Sequence, residues 1–204
     1  LIWFAPTIVN IVTRLIKTPV NTEDDAFRLR YIDAGIIGAP ELATEQATKE
    51  IIHFAKISRN GLGYVREAIN ETDPEKFEEL RGKLVKYEEI SDRIEYEIAT
   101  FLNAVSSHEI SNDTSSLIKA MYKIIGELES LGDSGEAISR ILSRKNIHKR
   151  TFNEETIKKL NNMVNLVEAA YDSMIANLEA TSEDRLDNIQ NAYNAEENLN
   201  VMRN

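Results

Sequence analysis

No proline follows Pro74 in this chain of 204 residues. Proline removes a backbone donor and costs ~3 kcal/mol inside a helix, so its absence over such a distance permits long uninterrupted helices. Apolar residues in the same stretch recur in alternating steps of three and four, and no segment shows the period of two typical of strands. The sequence therefore predicts an all-α protein.

Five long helices are predicted after Pro40, and short connections separate them. Their expected ranges are Glu41 to Glu71, Pro74 to Ser107, about Asp113 to Ile147, Asn153 to about Leu178, and about Ser182 to the end of the chain. Short connections favour antiparallel neighbours, and heptad-like steps favour shallow crossing angles. We expect an up-down antiparallel bundle.

Three of these helices carry regular apolar rows that we expect to face the core. In the second helix the row is Phe77, Leu80, Leu84, Tyr87, Ser91, Ile94, Ile98, Phe101 and Val105. In the third it is Leu117, Met121, Ile124, Leu128 and Leu131. In the fourth it is Leu160, Val164, Val167, Tyr171, Met174 and Leu178.

Two acidic pairs point to a metal site. Glu88 and Asp92 on the second helix, and Glu129 and Asp133 on the third, each lie one turn apart on one helix face. If these helices are neighbours, four carboxylates converge into a site that suits Mg²⁺, Mn²⁺, Ca²⁺ or Fe³⁺. Gly132 costs ~1 kcal/mol relative to alanine in a helix, which favours a close approach there. The alternative is a solvated acidic face, the usual role of such pairs.

Composition excludes several classes of function. A net charge of −10 argues against a general affinity for nucleic acid. The absence of cysteine excludes disulfides, thiolate zinc sites and cysteine nucleophiles. No glycine-rich phosphate loop and no Glu-x-x-His pair of a di-metal oxidase occurs, so we expect no enzyme. The basic stretch Arg144–Arg150 indicates a solvated loop, with a docking point for an acidic partner as the alternative.

The first thirteen residues, Leu1–Thr13, are uncharged and rich in aromatic residues. They are fewer than the ~20 that a membrane span needs, and no basic residues precede them as in a signal peptide. Because the chain starts at leucine, we expect the end of a membrane helix of a longer protein, or an interfacial helix; the alternative is a hydrophobic helix docked on the bundle. The basic residues that follow predict a cytoplasmic location by the positive-inside rule; they are Arg14, Lys17, Arg28 and Arg30.

The acidic motifs resemble those of a known family. Glu129-Ser130-Leu131-Gly132-Asp133, preceded by an acidic-x-x-x-Asp helix, looks like the motif of the PhoU family of phosphate-uptake regulators. The linker Phe27–Asp33, leading to Ala39–Ala43, is similar to the junction in bacterial sodium/phosphate cotransporter-family proteins, in which a cytoplasmic PhoU-like domain follows a membrane domain. The resemblance covers roughly residues 20 to 204.

The resemblance implies an architecture and a set of ligands. The family consists of two tandem three-helix bundles whose acidic motifs can bind multinuclear metal clusters. It implies a membrane-proximal segment and linker at 1–40, a first three-helix unit at 41–150 and a partial second unit at 151–204. Carried over by position, the metal ligands are Glu88, Asp92, Glu129 and Asp133, with Glu196 and Asn200 as a weaker second set. Glu168 and Asp172 share the spacing but are expected at the surface.

The resemblance also implies a function. It implies a cytoplasmic regulatory domain of a sodium-dependent phosphate transporter, on the cytoplasmic side of the bacterial inner membrane. Its partner would be the membrane transport domain of the same polypeptide, and a homodimer is the second partner that we consider. The alternative is a metal-free helical module for protein–protein interaction.

Overall fold

A computed structural model describes residues 29–180 and, near the C-terminus, residues 197, 200 and 201. Its long helices are α1 (Pro40–Asn70), α2 (Pro74–Ser106), α3 (Asn112–Ile147) and α4 (Glu154–Glu179), and a short 3-10 helix, Ala34–Ile36, precedes α1. The described residues contain no strand, which confirms the all-α prediction. The predicted ranges of α1, α2 and α3 differ from these bounds by no more than one residue. Most of the fifth predicted helix lies outside the described residues.

Local sequence signals explain why the helices begin where they do. The Asp73 carboxylate caps α2 by accepting hydrogen bonds from the backbone N–H groups of Glu75 and Lys76, and Pro74 occupies the first helical position. The Asn153 side chain caps α4 through the backbone N–H of Thr156. Such caps satisfy donors that have no partner inside the helix. The three-residue connection between α1 and α2 makes these helices neighbours.

Helix α1 is the centre of the assembly: α2, α3 and α4 all pack against it, and α2 also packs against α3. Helices α1 and α4 are antiparallel, because Lys56 pairs with Glu179 whereas Arg66, farther along α1, pairs with the earlier residue Glu168. The four helices thus form one packed helical bundle.

The core consists of two hydrophobic clusters along the bundle. The larger one contains residues of all four helices, among them Ile51, Phe54, Ile94, Ile98, Leu102, Ile125, Leu128 and Tyr171. The smaller one also draws on all four, with Val65, Ile69, Phe77, Leu84, Leu142 and Val164 among its members. Helix α4 joins both clusters. The division of the chain into units at 1–40, 41–150 and 151–204 stays a prediction.

The predicted apolar row of α2 is right, whereas that of α3 is partly wrong. All nine predicted α2 residues are buried except Tyr87, which is half-buried. On α3, Leu117 and Leu131 are 45% and 37% exposed, while Ile118 and Ile125 are buried. The buried row of α3 continues through small residues, which an apolar pattern does not reveal; these include Thr114, Gly135 and Ser139.

A buried carboxylate fastens the segment before α1 to that helix. Glu50 is 0% exposed and accepts hydrogen bonds of 2.7 Å from the backbone N–H groups of Arg30 and Tyr31. His53 Nδ1 lies 2.9 Å from the other Glu50 oxygen, and Gln46 accepts from the Asp33 backbone N–H. The residues that lead into α1 are therefore held in a defined position.

No helix within residues 29–180 has an apolar stretch of the length needed to cross a membrane. The predicted membrane-proximal segment Leu1–Thr13 lies outside the described residues.

Candidate metal centre

Helices α2 and α3 approach closely where the two acidic pairs lie. A Cβ atom placed on Gly132 would lie 2.8 Å from Ser91 Oγ and 3.0 Å from Ser91 Cβ. Real Cβ atoms do not come so close to other atoms, so this contact requires glycine. The predicted reason for Gly132, a close approach, is thus present in the structure.

Three of the four predicted ligands converge beside this contact. Glu88, Asp92 and Asp133 each offer one carboxylate oxygen, and these oxygens lie within 4.8 Å of one another. Hard cations hold oxygen ligands at ~2.0–2.6 Å, so these three oxygens lie near the mutual separation of ligands of a single ion. Asp92 and Asp133 are exposed and Glu88 is half-buried, which leaves room for water as further ligands.

Glu129, the fourth predicted ligand, lies outside this group of three. It is half-buried, and its Oε2 accepts a hydrogen bond of 3.2 Å from Ser130 Oγ. Burial raises the pKa of Glu129, and the charges of Asp133 and then Asp92 raise it further, against the hydrogen bond from Ser130. The negative charges of Asp133 and Asp92 therefore act on Glu129, although its carboxylate oxygens lie outside the group of three.

Neighbouring negative charges act on the Glu88 carboxylate. Burial is the largest cause that raises the pKa of Glu88, and repulsion from Asp92 and Asp133 follows. Glu136, whose charge raises it further, pairs with Arg140 on the same helix. A bound cation would remove this repulsion and hold α2 and α3 together.

A cavity of about 20 Å³ lies behind the Ser91–Gly132 contact. It extends between α1, α3 and α4, where its lining includes Gly61, Gly135 and Tyr171. The space is sufficient for about one water molecule. Small residues thus leave a little free volume next to the acidic cluster.

The remaining acidic predictions have different outcomes. Glu196 lies outside the described residues, and Asn200 is exposed, so the weaker second set stays a prediction. Glu168 is not a plain surface residue: its side chain is 19% exposed and pairs with Arg59 and Arg66 of α1. Asp172 also pairs with Arg59, whose pKa it raises.

Sequence reasoning also missed Glu50, which was not singled out for any role. The signal was present in the spacing, since Ala43, Ala47, Glu50 and Phe54 form one row in steps of three and four. A carboxylate in an apolar row must find hydrogen-bond donors, and here they come from the preceding segment.

This chain matches no protein-family model, no curated protein and no solved structure. The resemblance to PhoU therefore depends on the acidic motifs and the linker alone.

Proposed function

We propose that this chain is a cation-responsive regulatory domain in which a hard metal ion bridges α2 and α3. The observation that carries the proposal is that one carboxylate oxygen each of Glu88, Asp92 and Asp133, from two helices, lie within 4.8 Å of one another. All three ligands are carboxylates, which suits Mg²⁺, Mn²⁺, Ca²⁺ or Fe³⁺. The resemblance to PhoU supports a role in a sodium-dependent phosphate transporter, on the cytoplasmic side of the membrane.

The bundle offers a route from the ion to the rest of the polypeptide. Loss of the cation would leave the carboxylates to repel one another across the Ser91–Gly132 contact. Both helices pack on α1, and α1 holds the preceding segment through Glu50. A change in α2–α3 packing would thus act on the side of the chain that leads to a membrane transport domain.

Metal content is the direct test. Protein purified without chelator would be assayed by mass spectrometry and titrated calorimetrically with Mg²⁺, Mn²⁺ and Ca²⁺. We expect bound metal in the parent and its loss in the Asp92→Asn/Asp133→Asn variant. The control is Glu75→Gln/Glu79→Gln, which also removes two negative charges, from an exposed pair on α2 outside the cluster. A metal-free parent, or equal metal content in all three proteins, would reject the site.

The transport role needs its own measurement in the full polypeptide that contains this chain. Sodium-dependent phosphate uptake should change in the Asp92→Asn/Asp133→Asn variant and stay at the parental rate in the Glu75→Gln/Glu79→Gln control. Equal phosphate uptake by all three proteins, when each is present in the membrane in the same amount, would contradict the regulatory role. Metal binding would still be decided by the metal-content assay.

A metal-free interaction module is the second candidate function. It is favoured by large apolar side chains exposed along α3, among them Leu117, Ile141 and Ile147. Apolar side chains exposed in this way are typical of protein contacts when they cluster. Unchanged metal content together with altered partner binding in the Asp92→Asn/Asp133→Asn variant would favour this candidate.

A further inference from the structure

The end of α3 and the loop after it form a basic segment in an acidic protein. No aspartate or glutamate occurs between Glu136 and Glu154, whereas the whole chain has a net charge of −10. Five cationic residues fall in this interval: Arg140, Arg144, Lys145, Lys149 and Arg150. This interval is therefore locally basic, although other lysines and arginines are distributed along the rest of the chain.

Exposed isoleucines lie among these charges. Ile141 is 58% exposed and Ile147 is 73% exposed, on the last turns of α3. Arg140 and Arg144 lie next to them on the helix and are exposed as well. We call the seven residues Arg140, Ile141, Arg144, Lys145, Ile147, Lys149 and Arg150 the basic-apolar surface.

Lys149 has a backbone conformation that favours glycine. Its φ is 51°, and it is the only non-glycine residue with positive φ among those that the structure describes. Its N–H donates to the Asn146 carbonyl and the Arg150 N–H to the Lys145 carbonyl, at 2.9 and 3.0 Å, which is a Schellman turn. Glycine would be ~1 kcal/mol more favourable at this position. The exposed side chain of Lys149 therefore adds a positive charge at a position where the backbone favours glycine.

Three of the cations are available to a partner. Arg140 pairs with Glu136, and the Lys145 ammonium lies 4.9 Å from the centre of the Phe152 ring. Arg144, Lys149 and Arg150 are exposed and form no ion pair with the carboxylates of residues 29–180. The Schellman turn holds Lys149 and Arg150 close to Ile147.

We propose that the basic-apolar surface is a docking site for an acidic amphipathic helix of a partner protein. Carboxylates of that helix pair with Arg144, Lys149 and Arg150, and its apolar side chains at i, i+3 or i+4 spacing cover Ile141 and Ile147. This site is separate from the acidic cluster and does not depend on metal binding there.

The charge distribution favours a narrow protein segment over a membrane. Without the five cations of the basic segment, the rest of the chain has a net charge more negative than −10. An extended anionic lipid surface would repel this negative charge. An acidic helix contacts the basic-apolar surface alone. Two exposed isoleucines are also few for an interfacial membrane helix, which presents a continuous apolar face.

Fluorescence anisotropy tests the proposal with a defined probe. The probe is a labelled helical peptide with glutamate on one face and leucine on the other, beside a scrambled peptide of the same composition. We expect the parent to bind the amphipathic peptide, with affinity lowered about tenfold by Arg144→Ala/Arg150→Ala and by Ile141→Ser/Ile147→Ser. The control Lys158→Ala/Lys159→Ala, on exposed lysines of α4, should bind as the parent does.

Lys149→Gly separates binding from folding. This variant should raise the melting temperature, because glycine suits the positive φ, and should weaken peptide binding several-fold. Higher stability with unchanged affinity would overturn the role of this turn. If the scrambled peptide or polyglutamate binds equally well, charge alone accounts for the binding and no amphipathic helix is recognised. If the protein binds only to phosphatidylserine vesicles, the surface is a membrane site. Each of these results, like the absence of any binding, would overturn the proposal.

Discussion

Ser91 on α2 packs directly against the backbone of Gly132 on α3, so closely that a Cβ on residue 132 would lie 2.8 Å from Ser91 Oγ. The acidic residues lie within one turn of this contact on both helices: Glu88 and Asp92 on α2, and Asp133 on α3. The spacing of the two backbones therefore sets the spacing of the carboxylates. A change at Gly132 is expected to alter both the packing and the cation site.

Gly132→Ala should destabilise the protein by about 1–3 kcal/mol, since the new methyl group must push α2 and α3 apart. Rotation of the Ser91 hydroxyl does not remove the clash, because Ser91 Cβ itself lies 3.0 Å away. Urea unfolding would measure the loss. Gly126→Ala on the same helix is the control, since its Cβ meets no atom within 4 Å and should stabilise by up to ~1 kcal/mol. Equal effects of both substitutions would contradict the close contact.

Stability should fall as the pH rises through the titration of the acidic cluster. Folding raises the pKa of Glu88 and of Glu129 above the ordinary value of 4.5. The folded state then binds more protons than the unfolded state, so this contribution is complete below the unfolded pKa and is lost as the pH passes the raised values. In chelator, the parent should lose stability relative to Glu88→Gln/Glu129→Gln as the pH rises above the ordinary carboxyl pKa of 4.5.

Addition of Mn²⁺ should oppose this loss at neutral pH and have little effect in acid, where protons compete for the carboxylates. Chemical denaturation at a series of pH values, with and without Mn²⁺, measures both effects. The same pH dependence in the parent and in Glu88→Gln/Glu129→Gln would show that these residues do not cause it.

Glu50→Ala should release the segment before α1. Removal of this acceptor leaves the backbone N–H groups of Arg30 and Tyr31 without their carboxylate, at a cost of about 1–3 kcal/mol for each unsatisfied group. Hydrogen exchange by mass spectrometry should show faster exchange at these amides than in the parent. Glu67→Ala, at an exposed position of the same helix, is the control. Unchanged exchange in Glu50→Ala would mean that other contacts hold the segment.

The ion pair between Arg66 and Glu168 should contribute to the docking of α4 on α1. Its atoms are 2.6 Å apart and Glu168 is mostly buried, so a double-mutant cycle should give a coupling energy of about 1 kcal/mol. The same cycle on Glu155 and Lys159, an exposed pair within α4, should give about 0.5 kcal/mol or less. A coupling near zero would mean that the Arg66–Glu168 pair does not contribute to the docking of α4, which would then depend on the apolar contacts and on the other polar pairs, such as Lys56–Glu179 and Arg59–Asp172.

The two helices of the candidate site show where prediction from the sequence succeeds. On α2 the buried row consists mainly of large apolar residues, so its period identifies the inner face. On α3 the buried row passes through Thr114, Gly135 and Ser139, which carry little apolar signal, and the pattern selected the exposed Leu117 and Leu131 instead. The candidate ligands were still found, because i,i+4 spacing on each helix is a local property.

The positions and ends of α1 to α4 follow from local sequence, because caps, prolines and apolar periods act over a few neighbouring residues. It also placed each acidic pair on one helix face. The packing of α2 against α3, by contrast, brings oxygens of Glu88, Asp92 and Asp133 within 4.8 Å of one another and leaves Glu129 outside this group. Tertiary packing also decides the burial of Glu50 beneath the preceding segment and the pairing of Glu168 with α1. These outcomes depend on the distance and rotation between helices, which follow from the packing of distant side chains.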